Sequence, residues 1–145
     1  MRIARVFMAS AMAWLIATAF SMAPMAQGKM TDEDYDKLMK TVGQTAGLLR
    51  KNAEGQNTDG VSADAKKMVG LFKDATTFWT ERGNKEAADW SKGAMDQAAE
   101  IDKAAAAKNM AGVGEHTKVM MGTCQTCHAK YRERAADGTY MLKKG

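Results

Sequence analysis

From Thr31 to its last residue the chain contains no proline, because its single proline is Pro24. A run of this length without proline, rich in Ala, Lys, Met, Glu and Gln, favours helix throughout. Apolar residues recur along it at intervals of three and four, the spacing that places them on one face of a helix. No segment shows the two-residue alternation of a strand. The sequence therefore predicts an all-α protein.

Breaks in this spacing divide the run into four amphipathic helices. The first begins at a capping box formed by Thr31 and Asp34, and residues 52–60 have no apolar period and are predicted to form a loop. The predicted helices run from Thr31 to Leu49, from Ser62 to the Gly83-Asn84 pair, from there to about Asn109, and from Met110 to about Ala136. Four such helices joined mainly by short connections predict an antiparallel up-down-up-down bundle.

Residues 1–28 have the composition of a secretory signal. Two arginines lie in the first five residues, residues 6–20 are apolar apart from two hydroxyl side chains, and small residues follow. The apolar run is shorter than the roughly 20 residues of a membrane-spanning helix, which argues against an uncleaved anchor. We expect cleavage after Ala26 or Gly28 and export to a periplasm, with residues 29–145 forming one domain that does not associate with the membrane.

The charge balance of the chain bears on its partners. Its 21 basic residues include two within the predicted signal, and all 17 acidic residues lie beyond it, so cleavage would lower the formal net charge from +4 to +2. So small a charge gives no reason to expect nucleic acid or an anionic membrane surface as a partner.

The only two cysteines lie three residues apart, in Cys124-Gln125-Thr126-Cys127-His128. This is C-x-x-C-H, the attachment signature of c-type haem, in which both thiols bind the porphyrin and the histidine reaches the iron from the same side. A thioredoxin-like dithiol expects a βαβ context, and a disulfide here would close a very small loop. A zinc site needs about four ligands, and His116 is the only other histidine or cysteine. We therefore expect one haem c, held by Cys124 and Cys127, with His128 as an axial ligand.

A second axial ligand would have to come from another helix. His116 lies twelve residues before His128 on the same predicted helix, about 18 Å away at 1.5 Å per residue. Among the methionines, Met39 lies on the apolar face of the first helix, at the level of His128 in an antiparallel bundle. Met68 lies near the start of the second helix, which runs parallel to the fourth. It is therefore expected at the end of the bundle far from His128. The residues alone leave open whether Met39 binds iron or is a core methionine.

The same comparison of positions along the bundle axis places further side chains beside the haem. Large aromatic residues there would exclude water, although ordinary core packing explains them equally well. The expected neighbours on the second and third helices are Phe72, Ala75, Trp79, Trp90 and Ala94. Arg132 and Lys130 are candidates to pair with the haem propionates.

A Cys-x-x-Cys-His-x-x-Tyr-Arg segment, here ending in Tyr131-Arg132, on the last helix of a four-helix bundle resembles the cytochrome c′ family, the class II c-type cytochromes. Lys37-Leu38-Met39-Lys40 with Gly43 resembles the low-spin branch of that family, in which a methionine of the first helix is the sixth ligand. The resemblance implies that Met39 binds the iron and that the protein carries electrons between redox partner proteins. Dimers are common in that family, so a homodimer is a further expectation.

The high-spin branch of the same family provides the alternative. Its members have a five-coordinate iron and an open distal site, and this chain would then bind nitric oxide or carbon monoxide. An enzyme is not expected, because the sequence offers neither a distal histidine nor a charged constellation of the kind that a peroxidase uses.

Overall fold

The computed structural model describes residues 29–143, so the predicted signal and its cleavage site lie outside the described residues. The elements in chain order are α1 (Asp32–Glu54), α2 (Thr58–Glu81), α3 (Lys85–Ala106), α4 (Met110–Tyr131), β1 (Arg132–Arg134) and β2 (Tyr140–Leu142). The prediction of an all-α four-helix bundle is confirmed. Within residues 29–143, no helix combines the length and the hydropathy of a membrane span.

Three short links of the same geometry join the helices. Each link ends in an asparagine whose side-chain oxygen accepts a hydrogen bond of 3.0–3.1 Å from the backbone N–H three residues later; these are Asn57, Asn84 and Asn109. The residue before each asparagine has a positive φ, namely Gln56 (55°), Gly83 (68°) and Lys108 (56°). Because the chain reverses within three residues, consecutive helices run antiparallel.

The first link is shorter than the sequence suggests. Helix α1 continues to Glu54 and α2 begins at Thr58, so the predicted loop of residues 52–60 is only residues 55–57. The positive φ of Gln56 and the cap formed by Asn57 complete the reversal, and the residues on either side are free to remain helical.

The prediction that the fourth helix continues to about Ala136, with no strand after it, is wrong. Helix α4 ends at Tyr131, because Arg132 is extended (φ −115°, ψ 134°) and β1 pairs antiparallel with β2. In the turn, Gly138 has φ 83° and its N–H donates to the carbonyl of Ala135 at 2.9 Å. An Asp-Gly pair such as Asp137-Gly138 is a strong signal for a hairpin turn, and it overrides the helical spacing here.

One end of the bundle collects the start of α1, the end of α2, the start of α3 and the end of α4. The indole Nε1 of Trp79 donates to the hydroxyl of Tyr35 at 2.9 Å, and the Tyr131 hydroxyl donates to a carboxylate oxygen of Glu86 at 2.9 Å. The rings of Trp79 and Tyr131 lie 5.1 Å apart between centroids. These contacts fix which residues of the four helices lie at the same level.

The four helices do not pack equally against one another. Helix α2 packs against α1 and α3, and α3 packs against α4, with apolar side chains from all four helices in one core. Helices α1 and α4 make few contacts with each other. An open space therefore remains between them, and β2, which contacts α1, spans part of it.

Candidate functional site

A cavity of about 450 Å³ lies between α1 and α4. Its volume is in the range typical of sites for small molecules and cofactors. The cavity walls are mostly apolar, and all four helices and both strands contribute to them. The cavity is thus the space left by the weak contact between α1 and α4, lined on its inner side by α2 and α3.

The C-x-x-C-H segment faces this cavity. Cys124, Cys127 and His128 all line it, from the last two turns of α4. Residues three and four apart lie on one face of a helix, which brings the two thiols and the imidazole to the same side. Both cysteines are free and half-buried. The three residues that the sequence predicts to hold a haem are therefore together at one wall of a cavity.

Burial sets the protonation of these groups. It raises the pKa of the Cys124 thiol to about 11, with the neighbouring Cys127 as a second cause, and it also raises the pKa of Cys127. Thiols that exchange disulfides have lowered pKa values, so the surroundings do not favour a dithiol redox site. Burial, and next the charge of Arg132, lowers the pKa of His128. The imidazole is then neutral at neutral pH, the form that binds metals.

The opposite wall of the cavity belongs to α1. Met39 lines it and is half-buried. Gly43, one turn further along, also lines the cavity, and a Cβ added at Gly43 would meet no neighbouring heavy atom within 4 Å. Gly43 therefore opens onto the cavity and is not a point of close helix contact.

The expectation that Met68 lies at the far end of the bundle is wrong, because Met68 lines the same cavity and is fully buried. The cavity extends along α4 from Met121 to Tyr131, about 15 Å at the rise of an α-helix. Its inner end therefore reaches the middle of α2. Met141 of β2 lines it as well, so three methionines outside α4 border the cavity.

The predicted aromatic neighbours also lie around the cavity. Phe72, Trp79 and Trp90 line it together with Ala94, whereas Ala75 is buried in the core and does not line it. Tyr131 links two of these rings, with its centroid 5.1 Å from that of Trp79 and 6.0 Å from that of Trp90. The end of the cavity near His128 therefore has an aromatic wall.

Sequence reasoning missed Tyr35 as a cavity residue. Its ring stacks on Phe78 at 4.0 Å between centroids, and its hydroxyl accepts the hydrogen bond from Trp79. Burial raises the pKa of the Tyr35 phenol, which therefore stays neutral. The available signal was its position one helical turn before Met39, on the same face of α1.

The two cations proposed for propionates have different surroundings. Lys130 forms a salt bridge with Glu86 at the start of α3 and does not line the cavity. Arg132 borders the cavity, and its guanidinium lies 3.9 Å from the ring centroid of Tyr140. Lys40 on α1 borders it too, and sequence reasoning missed that residue. The cations at the cavity are thus Lys40 of α1 and Arg132 of β1.

The second histidine is not part of this site. His116 lies outside the cavity lining, and its Nδ1 is 2.9 Å from Oε1 of Gln97. In the described part of the chain, no group of three or more His, Cys, Asp or Glu side chains could hold a metal ion.

The chain was compared with protein-family models, with curated proteins and with solved structures, and none of the three comparisons found a match. The cavity and the C-x-x-C-H segment that faces it are therefore the observations from which a function can be inferred.

Proposed function

We propose that this chain is an exported, periplasmic c-type cytochrome of the cytochrome c′ type, which carries one covalently bound haem and transfers electrons between redox partner proteins. The observation that carries the proposal is the position of Cys124, Cys127 and His128 on one face of α4, toward a mostly apolar cavity. The predicted export signal agrees with it, because the thiols of c-type cytochromes receive haem outside the cytoplasm.

The residues around the cavity fit a haem in several respects. The two thiols are free to form thioethers, and the neutral imidazole of His128 follows directly. The walls are apolar and aromatic, as a macrocycle requires, and the space beside Gly43 is open. Lys40 and Arg132 offer positive charge for carboxylates at the cavity border.

Each of these residues has a separate role in the proposed protein. Cys124 and Cys127 would fix the macrocycle to α4, and His128 would offer a ring nitrogen to the iron from the same helix. The buried aromatic residues exclude water from the cavity. When bound, the haem supplies a reversible one-electron change at its iron, with a potential that depends on the axial ligands and on burial.

The level of the methionines along the bundle supports Met39 as the second axial ligand. With the start of α1 and the ends of α2 and α4 at one level, Met39 lies about four residues deeper than His128 and Met68 about ten. These offsets correspond to about 6 Å and about 15 Å along the helix axis. His128 and Met39 together would leave a bound iron without an open site for a substrate or gas, which favours an electron carrier.

The first test is whether haem attaches to both thiols. We expect the full-length chain, expressed with a c-type maturation system, to give the pyridine haemochrome spectrum of a haem bound through two thioethers. Cys124→Ser and Cys127→Ser should each change that spectrum to the one of a single thioether or abolish attachment. His116→Ala is the matched control, because His116 lies outside the cavity, and it should leave attachment unchanged. Absence of covalent haem from the unmutated chain, with working maturation, would refute the proposal.

A further inference from the structure

The C-terminal hairpin, residues 132–142, lies where α1 and α4 make few contacts with each other. Its first strand continues directly from α4, and its second strand contacts α1. Leu142 is half-buried and packs against the core, and the N–H of Lys143 donates to the carbonyl of Tyr131 at 2.9 Å. The hairpin therefore connects the helix that bears His128 to the helix that bears Met39.

The hairpin is held together by its own contacts. Besides the strand pairing, the guanidinium Nε of Arg134 donates to the carbonyl of Gly138 at 3.3 Å, and Asp137 accepts hydrogen bonds from the N–H and the hydroxyl of Thr139. The guanidinium of Arg132 lies over the Tyr140 ring. Such local contacts allow the hairpin to act as one unit on the helix that it touches.

Helix α1 needs a support on this side. It packs mainly against α2, and the face that carries Met39 and Gly43 borders the cavity. Helices with few buried apolar contacts open at a lower free energy than helices packed on several sides. The second strand of the hairpin supplies a contact to α1 at the cavity, where Leu142, Met141 and Tyr140 also form part of the wall.

We infer that the hairpin is a strap that holds α1 at a fixed distance from α4, with Leu142 as a positioning residue for Met39 as the sixth iron ligand. This inference rests on the proposed function. Methionine ligation needs the sulfur within bonding distance of the iron, so a small outward movement of α1 is enough to break it. The strap thereby decides whether the iron is closed to small ligands.

The test uses Leu142→Ala in the full-length, matured protein, with three readouts. We expect the ferric spectrum to lose part of its methionine-ligated, low-spin character, carbon monoxide to bind the ferrous form faster, and the backbone amides of α1 to exchange hydrogen faster. The rates of carbon monoxide binding and of amide exchange should each rise about fivefold, the factor that corresponds to about 1 kcal/mol. Gly138→Ala should act in the same direction, because it strains the turn at φ 83° without removing any side chain that lines the cavity.

Two further variants separate positioning from general loss of stability. Leu48→Ala makes the same leucine-to-alanine change on α1, at a side chain that is 51% exposed and does not line the cavity. It should therefore change none of the three readouts. Leu142→Ile conserves volume without adding a thioether to the cavity wall, so it should keep the spectrum and the rates of the unmutated protein. Covalent haem with an unchanged spectrum, unchanged carbon monoxide binding and unchanged exchange in Leu142→Ala and Gly138→Ala would overturn the strap.

Failure of the proposed function has a different outcome. In that case the unmutated chain carries no covalent haem, and only the amide exchange of α1 can test whether the hairpin holds that helix. Faster exchange in Leu142→Ala than in Leu48→Ala supports the strap, and equal exchange overturns it.

Discussion

Three methionine side chains outside α4 border the cavity, and their surroundings differ. Met68 is fully buried and belongs to the apolar core, so its side chain is already fixed by packing. Met39 and Met141 are half-buried, on α1 and on the hairpin. A thioether that reaches across a cavity needs rotamer freedom, and an unbranched side chain at a cavity wall keeps it. Burial and level along the bundle therefore both favour Met39 over Met68.

We predict that Met39→Leu converts the ferric protein from a low-spin to a high-spin spectrum and lets carbon monoxide bind the ferrous form readily. The substitution keeps the volume of the side chain and removes its sulfur, so packing changes little. Met68→Leu and Met141→Leu are the matched controls, each at a cavity-lining methionine, and should retain the low-spin spectrum. Absorption spectra and stopped-flow carbon monoxide binding report both properties.

Other results of the same series identify a different ligand or none. Loss of the low-spin spectrum in Met68→Leu or Met141→Leu alone would transfer the ligand role to that residue. A high-spin spectrum and immediate gas binding in the unmutated protein would favour the alternative of a five-coordinate protein that binds nitric oxide or carbon monoxide.

Position along the bundle axis was used to predict which residues lie beside the haem, and the structure agrees with it only in part. Axial position selected Phe72, Trp79 and Trp90, which all line the cavity, and also Ala75, which does not. The level of Met68 was misjudged, because it depends on where the helices begin and end and on how long the cavity is. A helix end that is misplaced by five residues moves every predicted position along that helix by about 7.5 Å.

At the scale of elements, the link between two helices depends on one residue with positive φ followed by a capping asparagine. Gly83-Asn84 was recognised as a stop, since glycine is the residue that most readily adopts this conformation. In the links that end at Asn57 and Asn109, the residue with positive φ is not glycine but Gln56 and Lys108. The repeated asparagine was the signal that could have located all three links. The hairpin was missed although Asp137-Gly138 is a turn signal, because its strands are only three residues long.

We predict that Gly83→Ala lowers the free energy of unfolding by about 1 kcal/mol, because Gly83 has φ 68° and a Cβ is strained there. Gly70→Ala in the middle of α2 should raise it by about 0.5–1 kcal/mol, since alanine is the better helix former. A Cβ at either position would meet no neighbouring heavy atom within 4 Å, so sterics do not confuse the comparison. Urea denaturation of both variants measures the two changes in the free energy of unfolding. Changes of the same sign would contradict the positive φ at Gly83.

At the scale of the whole molecule, the bundle departs from even packing on one side. The weak contact between α1 and α4 leaves a cavity between them, open toward the C-x-x-C-H segment. Helical spacing in the sequence predicts four helices and their apolar faces. It does not predict which pair stays apart, because that depends on how the side-chain volumes of all four helices add together.

Residues 30–34, which follow the predicted cleavage sites, make contacts at the start of α1. Thr31 and Asp34 form the capping box of α1, and the guanidinium of Arg82 donates to the carbonyl of Met30 at 3.3 Å. Cleavage after Ala26 or Gly28 would keep all of these residues, whereas cleavage after Met30 would remove the hydrogen bond between Met30 and Arg82.

We therefore predict that the haem-loaded protein, recovered from the periplasm, begins at Gln27 or Lys29. Mass spectrometry of the intact protein gives both the first residue and the mass of one haem. Replacing Arg2 and Arg5 by Glu should retain the chain in the cytoplasm at full length and without haem, because the basic start of the signal is lost. The same double change to Lys conserves the charge and should leave export and attachment unchanged. Haem attachment to the full-length Glu variant in the cytoplasm would show that export and attachment are independent in this chain.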